Sequence, residues 1–141
     1  MPDAPNLRLL DVLSNLAEEL CTQLAADGCV ISRVIGDVLI MVAERAPEGV
    51  TLQQGQGYLV PDFPTTAEVL ATGRPCTLTL DEPGVDEAEA AILRFHGFGA
   101  LLMLPLTLNG SGWGLIELYR TSTVRFSEDE MRLAMELARI N

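Results

Sequence analysis

The sequence feature that most constrains the fold is a pair of apolar runs around a turn, "LPLTLNGSGWGLIELYR", residues 104–120. A strand with one solvent-exposed face alternates apolar and polar residues, but in this run apolar side chains occur on both faces of the strand. Asn109 and the neighbouring glycines allow the positive φ angles that a hairpin turn requires. The run therefore predicts that residues 100–108 pair with 113–119 at the centre of a sheet. Pro105 lacks a backbone donor and predicts a break in that pairing.

The rest of the chain adds helices and further strands around this hairpin. Helical periodicity runs from Leu7 to Ala26, and Ser127 with Glu130 forms a capping box that opens a helix running to the last residue. Further helices are predicted over 65–71 and 85–95, and strands over 29–35, 38–44, 50–53 and 76–80. This order is neither a regular βαβ alternation nor a sandwich. It predicts an α+β domain in which helices pack on a central antiparallel sheet.

Length and charge limit the domain count and the partners. The 141 residues predict one domain over 1–141, with 1–6 as a flexible N-terminus and 127–141 as the start of a truncated exit helix. The formal net charge of −11 repels phosphate backbones and anionic lipids, so neither nucleic acid nor a membrane surface is an expected partner. No apolar run approaches the roughly 20 residues of a membrane span, and no signal peptide begins the chain. A cytoplasmic location is expected.

Polar clusters give few signals of chemistry. Five acidic residues between Asp81 and Glu89 stand without a base among them, which is typical of a solvated face. Three widely spaced cysteines, Cys21, Cys29 and Cys76, form no disulfide framework and no metal motif. With a single histidine in the chain, no metal site is predicted.

Taken in order, these segments resemble the GAF domain family. The resemblance rests on the amphipathic entry helix, on Asp62-Phe63-Pro64 before a short helix closed by "TGRP", on the central hairpin and on "FSEDE" opening the exit helix. It implies a sheet of about six strands, with the terminal helices on one face and short helices and loops on the other. GAF domains are regulatory modules that bind small molecules between the sheet and the loop-and-helix face.

The resemblance does not identify a ligand. The cyclic-nucleotide members carry an Asp-Glu pair four residues after a phenylalanine, but here Asp129-Glu130 follow Phe126 one residue too soon. The bilin-binding members attach their chromophore through a cysteine at a place that Ala90 or Ala91 holds here, so no covalent bilin is expected. His96 stands at a helix end, where a cap is a more ordinary role than a haem ligand, so haem is not expected either.

Two hypotheses of different classes remain. The first is a signal-transduction sensor whose pocket lies among five candidate residues: Tyr58, Phe63, Phe95, His96 and Met103. The second is a ligand-free dimerisation scaffold, and either would control an attached output domain. A remote alternative is a thiol-dependent methionine sulfoxide reductase, because some stand-alone members of the family reduce that substrate with cysteines near the pocket. None of the three cysteines lies in the loop from Glu48 to Pro64, so no enzymatic activity is expected.

The terminal helices predict association. The exit helix is apolar over more of its circumference than packing on one sheet requires, and the entry helix is similarly broad. Apolar surface on two adjacent helices is best buried against a twofold copy. A homodimer is therefore expected through Leu13, Leu20, Leu133, Leu137 and Ile140. The alternative is a monomer in which these helices pack on each other and on the sheet.

Overall fold

A computed structural model describes residues 4–47 and 57–140. Within these ranges the chain forms four α-helices, one short 3-10 helix at Val60–Asp62 and a seven-stranded sheet. The helices are α1 Ala4–Leu24, α2 Pro64–Thr72, α3 Glu87–His96 and α4 Glu128–Leu137. The strands are β1 Gly28–Ile35, β2 Val38–Arg45, β3 Gly57–Leu59, β4 Cys76–Thr79, β5 Ala100–Leu108, β6 Ser111–Arg120 and β7 Arg139–Ile140. The strand predicted over 50–53 lies outside the described residues.

The β5–β6 hairpin lies in the interior of the sheet, as predicted. The strand order is β3-β2-β1-β6-β5-β4, with antiparallel pairing between all neighbours, and β7 pairs with β5 in parallel. Ala100 stands opposite Arg120 and Leu108 opposite Ser111, so Asn109 and Gly110 make the whole turn, both with positive φ. This two-residue form is the tightest hairpin connection, and its conformation suits asparagine followed by glycine.

Pro105 does not break the hairpin, so that prediction was wrong. Pro105 stands in register opposite Leu115, and the irregularity falls later, between Leu106 and Thr107. The other flank of β5 explains the tolerance, because β4 covers β5 only as far as Met103. Pro105 therefore lies where β5 has a partner on one side only among the described residues, and a missing donor costs little there.

The two faces of the sheet carry separate apolar cores. On β5 and β6, Leu102, Leu104, Ile116 and Leu118 pack with residues of α1 and α4. The alternate residues, including Leu101, Met103 and Leu115, pack with α2 and α3. The terminal helices therefore share one face and the short helices cover the other, which confirms the predicted arrangement.

Both terminal helices differ in length from the predictions. Helix α1 already includes Ala4–Asn6, which had been assigned to a flexible N-terminus. Helix α4 begins with the predicted capping box but ends at Leu137, and the chain then forms β7. The Asn109 N–H donates to the Ile140 carbonyl at 2.7 Å, so the edge of β5 that β4 leaves open pairs with these residues. An open sheet edge offers unpaired backbone groups, and pairing with them competes with continuation of the helix. The helical pattern of "ELARIN" does not reveal this alternative.

Candidate functional site

A cavity lies between the sheet and the side that carries α2 and α3. Its apolar walls come from β1, β2, α3 and the segment before α2, at Val30, Leu39, Met41, Phe63 and Ile92. Its polar lining comes from Ser32, Tyr58, Thr66, Glu89, His96, Glu117 and Tyr119. Apolar walls with a few convergent polar groups are the usual composition of a small-molecule site.

The cavity suits a compact molecule. Its volume is about 40 Å³ for the positions that the centre of a water molecule can occupy. It is about 490 Å³ when all space between atoms is counted, with the open solvent at its mouth included. Because a single water needs roughly 10–15 Å³ by the first measure, the enclosed part holds a few waters or a molecule of similar bulk.

Close packing between β1 and β6 shapes the sheet beneath the cavity. A Cβ atom on Gly114 would lie 2.1 Å from the Ser32 carbonyl oxygen, so only glycine fits there. The register of β1 against β2 shifts between Ile31 and Ser32, which marks a bulge. Bulges bend a strand locally and redirect side chains. This one occurs at Ser32, which lines the cavity.

Two threonines at the start of α2 bind two carboxyl groups at the start of α3. The Thr65 hydroxyl donates to Asp86 Oδ2 at 2.6 Å, and the Thr66 hydroxyl donates to Glu89 Oε1 at 3.0 Å. Asp86 also caps α3, because its Oδ1 accepts from the Ala88 N–H at 2.9 Å. Burial alone would raise the pKa of Asp86, but these hydrogen bonds hold it below its ordinary value. Asp86 therefore joins the two helices, while Glu89 faces the cavity.

Glu117 reaches the cavity from the middle of β6. Its Oε2 accepts a hydrogen bond from the Tyr119 hydroxyl at 2.9 Å. Tyr119 in turn stacks on Phe98, with ring centroids 4.8 Å apart and planes 18° apart. Burial, together with the charge of Glu117, raises the pKa of Tyr119 well above its ordinary value, so the phenol keeps its proton as a donor. The carboxyl of Glu117 is thereby held at a fixed place on the cavity wall.

The two glutamates titrate as a coupled pair. Burial, helped by the charge of Glu117, raises the pKa of Glu89 to about 8, against the opposing hydrogen bond from Thr66. Burial raises the pKa of Glu117 to about 6, against the hydrogen bond from Tyr119. At neutral pH the two carboxyl groups therefore share about one proton and one negative charge between them.

Three of the five predicted pocket residues line this cavity. Tyr58 and Phe63 meet edge to face, with ring centroids 5.8 Å apart, and His96 stands nearby on α3. Phe95 does not line the cavity, because it points away from it on α3 with 76% of its surface exposed. Met103 is fully buried in the core beneath.

The acidic residues of the site were not predicted from the sequence. Glu89 had been assigned to a solvated acidic face, but only 2% of its surface is exposed. The available signal was its position, since Glu89 lies one turn before Leu93 on the apolar side of α3. Glu117 offered a second signal, as a carboxyl within the apolar set of a central strand. A buried or half-buried carboxyl group on the wall of a cavity marks a functional site more often than a surface acid does.

The cysteines lie away from the cavity. Cys21 and Cys29 belong to the core beneath α1 and α4, and Cys76 lies on the edge strand β4. Burial raises the pKa of Cys29 well above its ordinary value and also raises the pKa of Cys76. An activated thiol needs a lowered pKa, so neither of these two environments favours a nucleophile. A hydrogen bond with Cys29 lowers the pKa of Cys21, but Cys21 is buried in the core on the other face of the sheet from the cavity. Within the described ranges, no three histidine, cysteine or acidic side chains meet as a metal site would require.

The residues predicted for a dimer interface divide into two groups. Leu13 and Leu20 are fully buried in the core of this chain, on the face of α1 that packs on the sheet. Leu133, Leu137 and Ile140 are half-buried and pack against the same core. On α1 it is Leu10 and Val12 that expose about two fifths of their surface, 41% and 40%. None of the helices in the described part of the chain is long and apolar enough to span a membrane.

Comparison with known proteins gives one family and a consistent set of structures. The family model for the GAF domain matches residues 8–140. No curated protein of similar sequence was found. The blue-light-absorbing form of the PixJ GAF domain from Thermosynechococcus elongatus is 25% identical, with a TM-score of 0.80 over 96% of this chain and 84% of that one. A phycocyanobilin-bound GAF domain from a cyanobacterial phytochrome is 21% identical, with a TM-score of 0.76 over 92% and 79%.

Proposed function

The chain belongs to the GAF domain family, and we propose that it is the sensory module of a signal-transduction protein, binding a compact small molecule without a covalent bond. The observation that carries the proposal is the cavity, in which Glu89, Glu117 and Thr66 face apolar walls. Burying a carboxyl group costs free energy. A fold retains such a group where binding needs it. We further propose that occupancy of the cavity controls an attached output domain.

The proposal takes ligand binding from the structural relatives and adds that the ligand of this chain is held without a covalent bond. One relative is a phycocyanobilin-bound GAF domain and another a phycoerythrobilin-bound one. No cysteine is found among the described residues that line the cavity. The raised pKa of Cys76 supports the further proposal that the chain is a binding protein and not a thiol enzyme. Cys76→Ser should therefore leave ligand binding unchanged.

A ligand screen by thermal unfolding tests the proposal. A ligand that binds only the folded state at a hundredfold excess over its Kd should add about 2.7 kcal/mol of stability. Ile92→Trp fills the cavity from α3 and should abolish the gain. The control is Ala91→Trp, which adds the same side chain at an exposed position of α3. A gain that survives Ile92→Trp, or the absence of any stabilising compound in a broad library, would contradict the proposal.

We also propose, as a second role, association through the terminal helices. A groove of about 530 Å³ runs beside α4, where Met131 and Met135 lie among charged side chains. Leu10 adds exposed apolar surface on α1. Apolar surface on both terminal helices favours burial against a second copy.

Sedimentation at micromolar concentrations tests this second role. Leu10→Glu should dissociate the dimer without unfolding the chain, because the side chain is already 41% exposed. Leu59→Glu is the matched control, since it introduces the same charge at an exposed leucine on β3. A wild-type monomer, or equal dissociation by both variants, would refute the proposed interface.

A further inference from the structure

Two carboxyl groups from different elements converge on one apolar cavity. Glu89 comes from α3 and Glu117 from β6, and both line the cavity. Glu89 exposes 2% of its surface and receives a hydrogen bond from Thr66 on Oε1. No hydrogen bond to its other oxygen, Oε2, occurs within the part of the chain that the structure describes. This oxygen is therefore open to a donor from a ligand once Glu89 is ionised.

The cavity lacks a matching positive charge. No lysine or arginine is among the described residues that line it. The chain pairs a buried charge elsewhere, since Arg120 donates to Glu130 at 2.6 Å and to the Leu24 carbonyl at 2.6 Å. A buried carboxylate is normally paired with a cation, because removing it from water is otherwise costly. Glu89 and Glu117 instead line the same cavity, and burial, helped by the charge of Glu117, raises the pKa of Glu89.

We propose that the cavity binds a small organic cation, an amine, guanidine or amidine on an apolar body, through the carboxyl groups of Glu89 and Glu117. The inference rests on the proposed function and names the chemical class of its ligand. The cationic group supplies both the missing charge and donors for the free carboxyl oxygens. The apolar body packs on Leu39, Met41 and Ile92. A planar guanidinium or amidinium can donate to two carboxyl groups at once.

Other ligand classes fit the same walls less well. An anion, including a tetrapyrrole with propionate groups, would set like charges side by side in a place of low polarity. A neutral molecule would leave the charge of Glu117 with the Tyr119 hydroxyl as its hydrogen-bond donor but with no cation beside it. The choice among cation, neutral molecule and anion is therefore the property to measure.

Three compounds of nearly equal size and shape separate these classes: benzamidine, benzamide and benzoate. Calorimetric titration of the whole chain at slightly alkaline pH should show benzamidine binding at least about tenfold more tightly than the other two compounds. The reason is that a hydrogen bond between charged groups contributes more binding free energy than a neutral one, by an amount equal to about a tenfold change in affinity. Glu117→Gln should weaken benzamidine about tenfold or more, while leaving benzamide unchanged. Glu87→Gln, which removes one exposed charge from the same helix as Glu89, should change neither.

The affinity for benzamidine should also depend on pH. Benzamidine stays cationic between pH 5 and 8 while the glutamate pair takes up protons as the pH falls, so binding should weaken on acidification. Binding should release a proton from the pair, detectable as a heat that changes with the ionisation enthalpy of the buffer. The other titratable groups near the pair are Cys29, Tyr58, Cys76, Asp86, His96 and Tyr119. Glu89→Gln should remove most of the proton release.

Each alternative outcome is informative. Benzamide or benzoate binding as tightly as benzamidine, and lost in Ile92→Trp, would overturn the cation inference and uphold the cavity as a binding site. Benzamidine binding that Glu117→Gln and Glu89→Gln leave unchanged would also overturn the inference. Failure of all three compounds to bind would also overturn the cation inference. The proposed function would be contradicted only if no compound in the broad library stabilised the protein either.

Discussion

The two faces of the sheet differ most clearly at adjacent residues of β6. Ile116 is fully buried among the apolar side chains under α1 and α4, while Glu117 points the opposite way and lines the cavity. Successive side chains of one strand face opposite sides, so one strand serves two layers of different chemistry. We call them the dry face, beneath α1 and α4, and the cavity face, beneath α2 and α3.

The dry face also contains a buried charge, but that charge is fully paired. Arg120 donates to four backbone carbonyls and to Glu130, and its guanidinium lies 4.0 Å from the ring centroid of Phe126. Burial alone would raise the pKa of Glu130, but hydrogen bonds from Ser127 and Arg120 hold it below its ordinary value. On the cavity face, burial raises the pKa of both Glu89 and Glu117, and the charge of Glu117 adds to the shift of Glu89. The dry face therefore pairs its buried charge, whereas no lysine or arginine is among the described residues that line the cavity face beside its two carboxyl groups.

The largest expected effect is the loss of stability when a charge is placed in the core of the dry face. Ile116→Asp places an unpaired carboxylate in an apolar core and should cost about 4 kcal/mol or more, which lowers the thermal midpoint by 10 °C or more or prevents folding. Ile116→Val is the control and should cost about 1 kcal/mol. Thermal denaturation followed by circular dichroism measures both. A midpoint for Ile116→Asp within a degree or two of wild type would show that this face is not a closed core.

The next effect removes the paired charge of the dry face. Arg120→Met leaves the Leu24 carbonyl and Glu130 without their donor and should cost about 3 kcal/mol in urea denaturation. Arg132→Met is the matched control, because its ion pair with Asp129 is exposed and should contribute less than about 0.5 kcal/mol. If the two variants lose the same stability, Arg120 does not join these elements.

The third effect concerns the cavity face and has the opposite sign. Because the folded-state pKa of Glu89 is raised to about 8, the folded chain binds a proton that the unfolded chain has lost above its ordinary value near 4.5. Stability from this group is therefore present at low pH and lost as the pH rises through 8. Glu89→Gln should stabilise the protein at pH 8.5 by on the order of 2 kcal/mol, which is less than the full shift because the amide is buried too.

Thermal unfolding between pH 5 and 9 measures this effect. Wild type should lose stability across that range, and Glu89→Gln should lose much less. Glu87→Gln changes the net charge equally but at an exposed position, so its profile should follow that of wild type. Parallel profiles for all three proteins would mean that Glu89 titrates normally.

The sequence predicted the dry face better than the cavity face, for a physical reason. The hairpin at 100–120 and the capping box at Ser127 depend on local periodicity and turn chemistry, which residue order states directly. The cavity depends on contacts between distant residues, such as Thr66 with Glu89, 23 positions apart. In an acidic run, a buried glutamate and a solvated one look alike until the packing of α2 on α3 is known. The ending of α4 at Leu137 likewise depended on the open edge of β5, which is a tertiary feature.

The smallest expected effect tests the difference between the two faces at a single hydrogen bond. The Thr66 hydroxyl donates to Glu89 at 3.0 Å and lowers the pKa of that carboxyl, against the stronger effect of burial. A hydrogen bond to a charged acceptor contributes about 1 kcal/mol more than one to a neutral acceptor. Thr66→Val should therefore cost about 1 kcal/mol more at pH 9, where Glu89 is ionised, than at pH 5, where it is protonated. Thr65→Val provides the contrast, because Asp86 is ionised throughout that range. The stability cost of Thr65→Val should therefore not change with pH. A pH-independent cost for Thr66→Val would show that Glu89 keeps one protonation state from pH 5 to 9, and the difference between the two faces would then lie in shape alone.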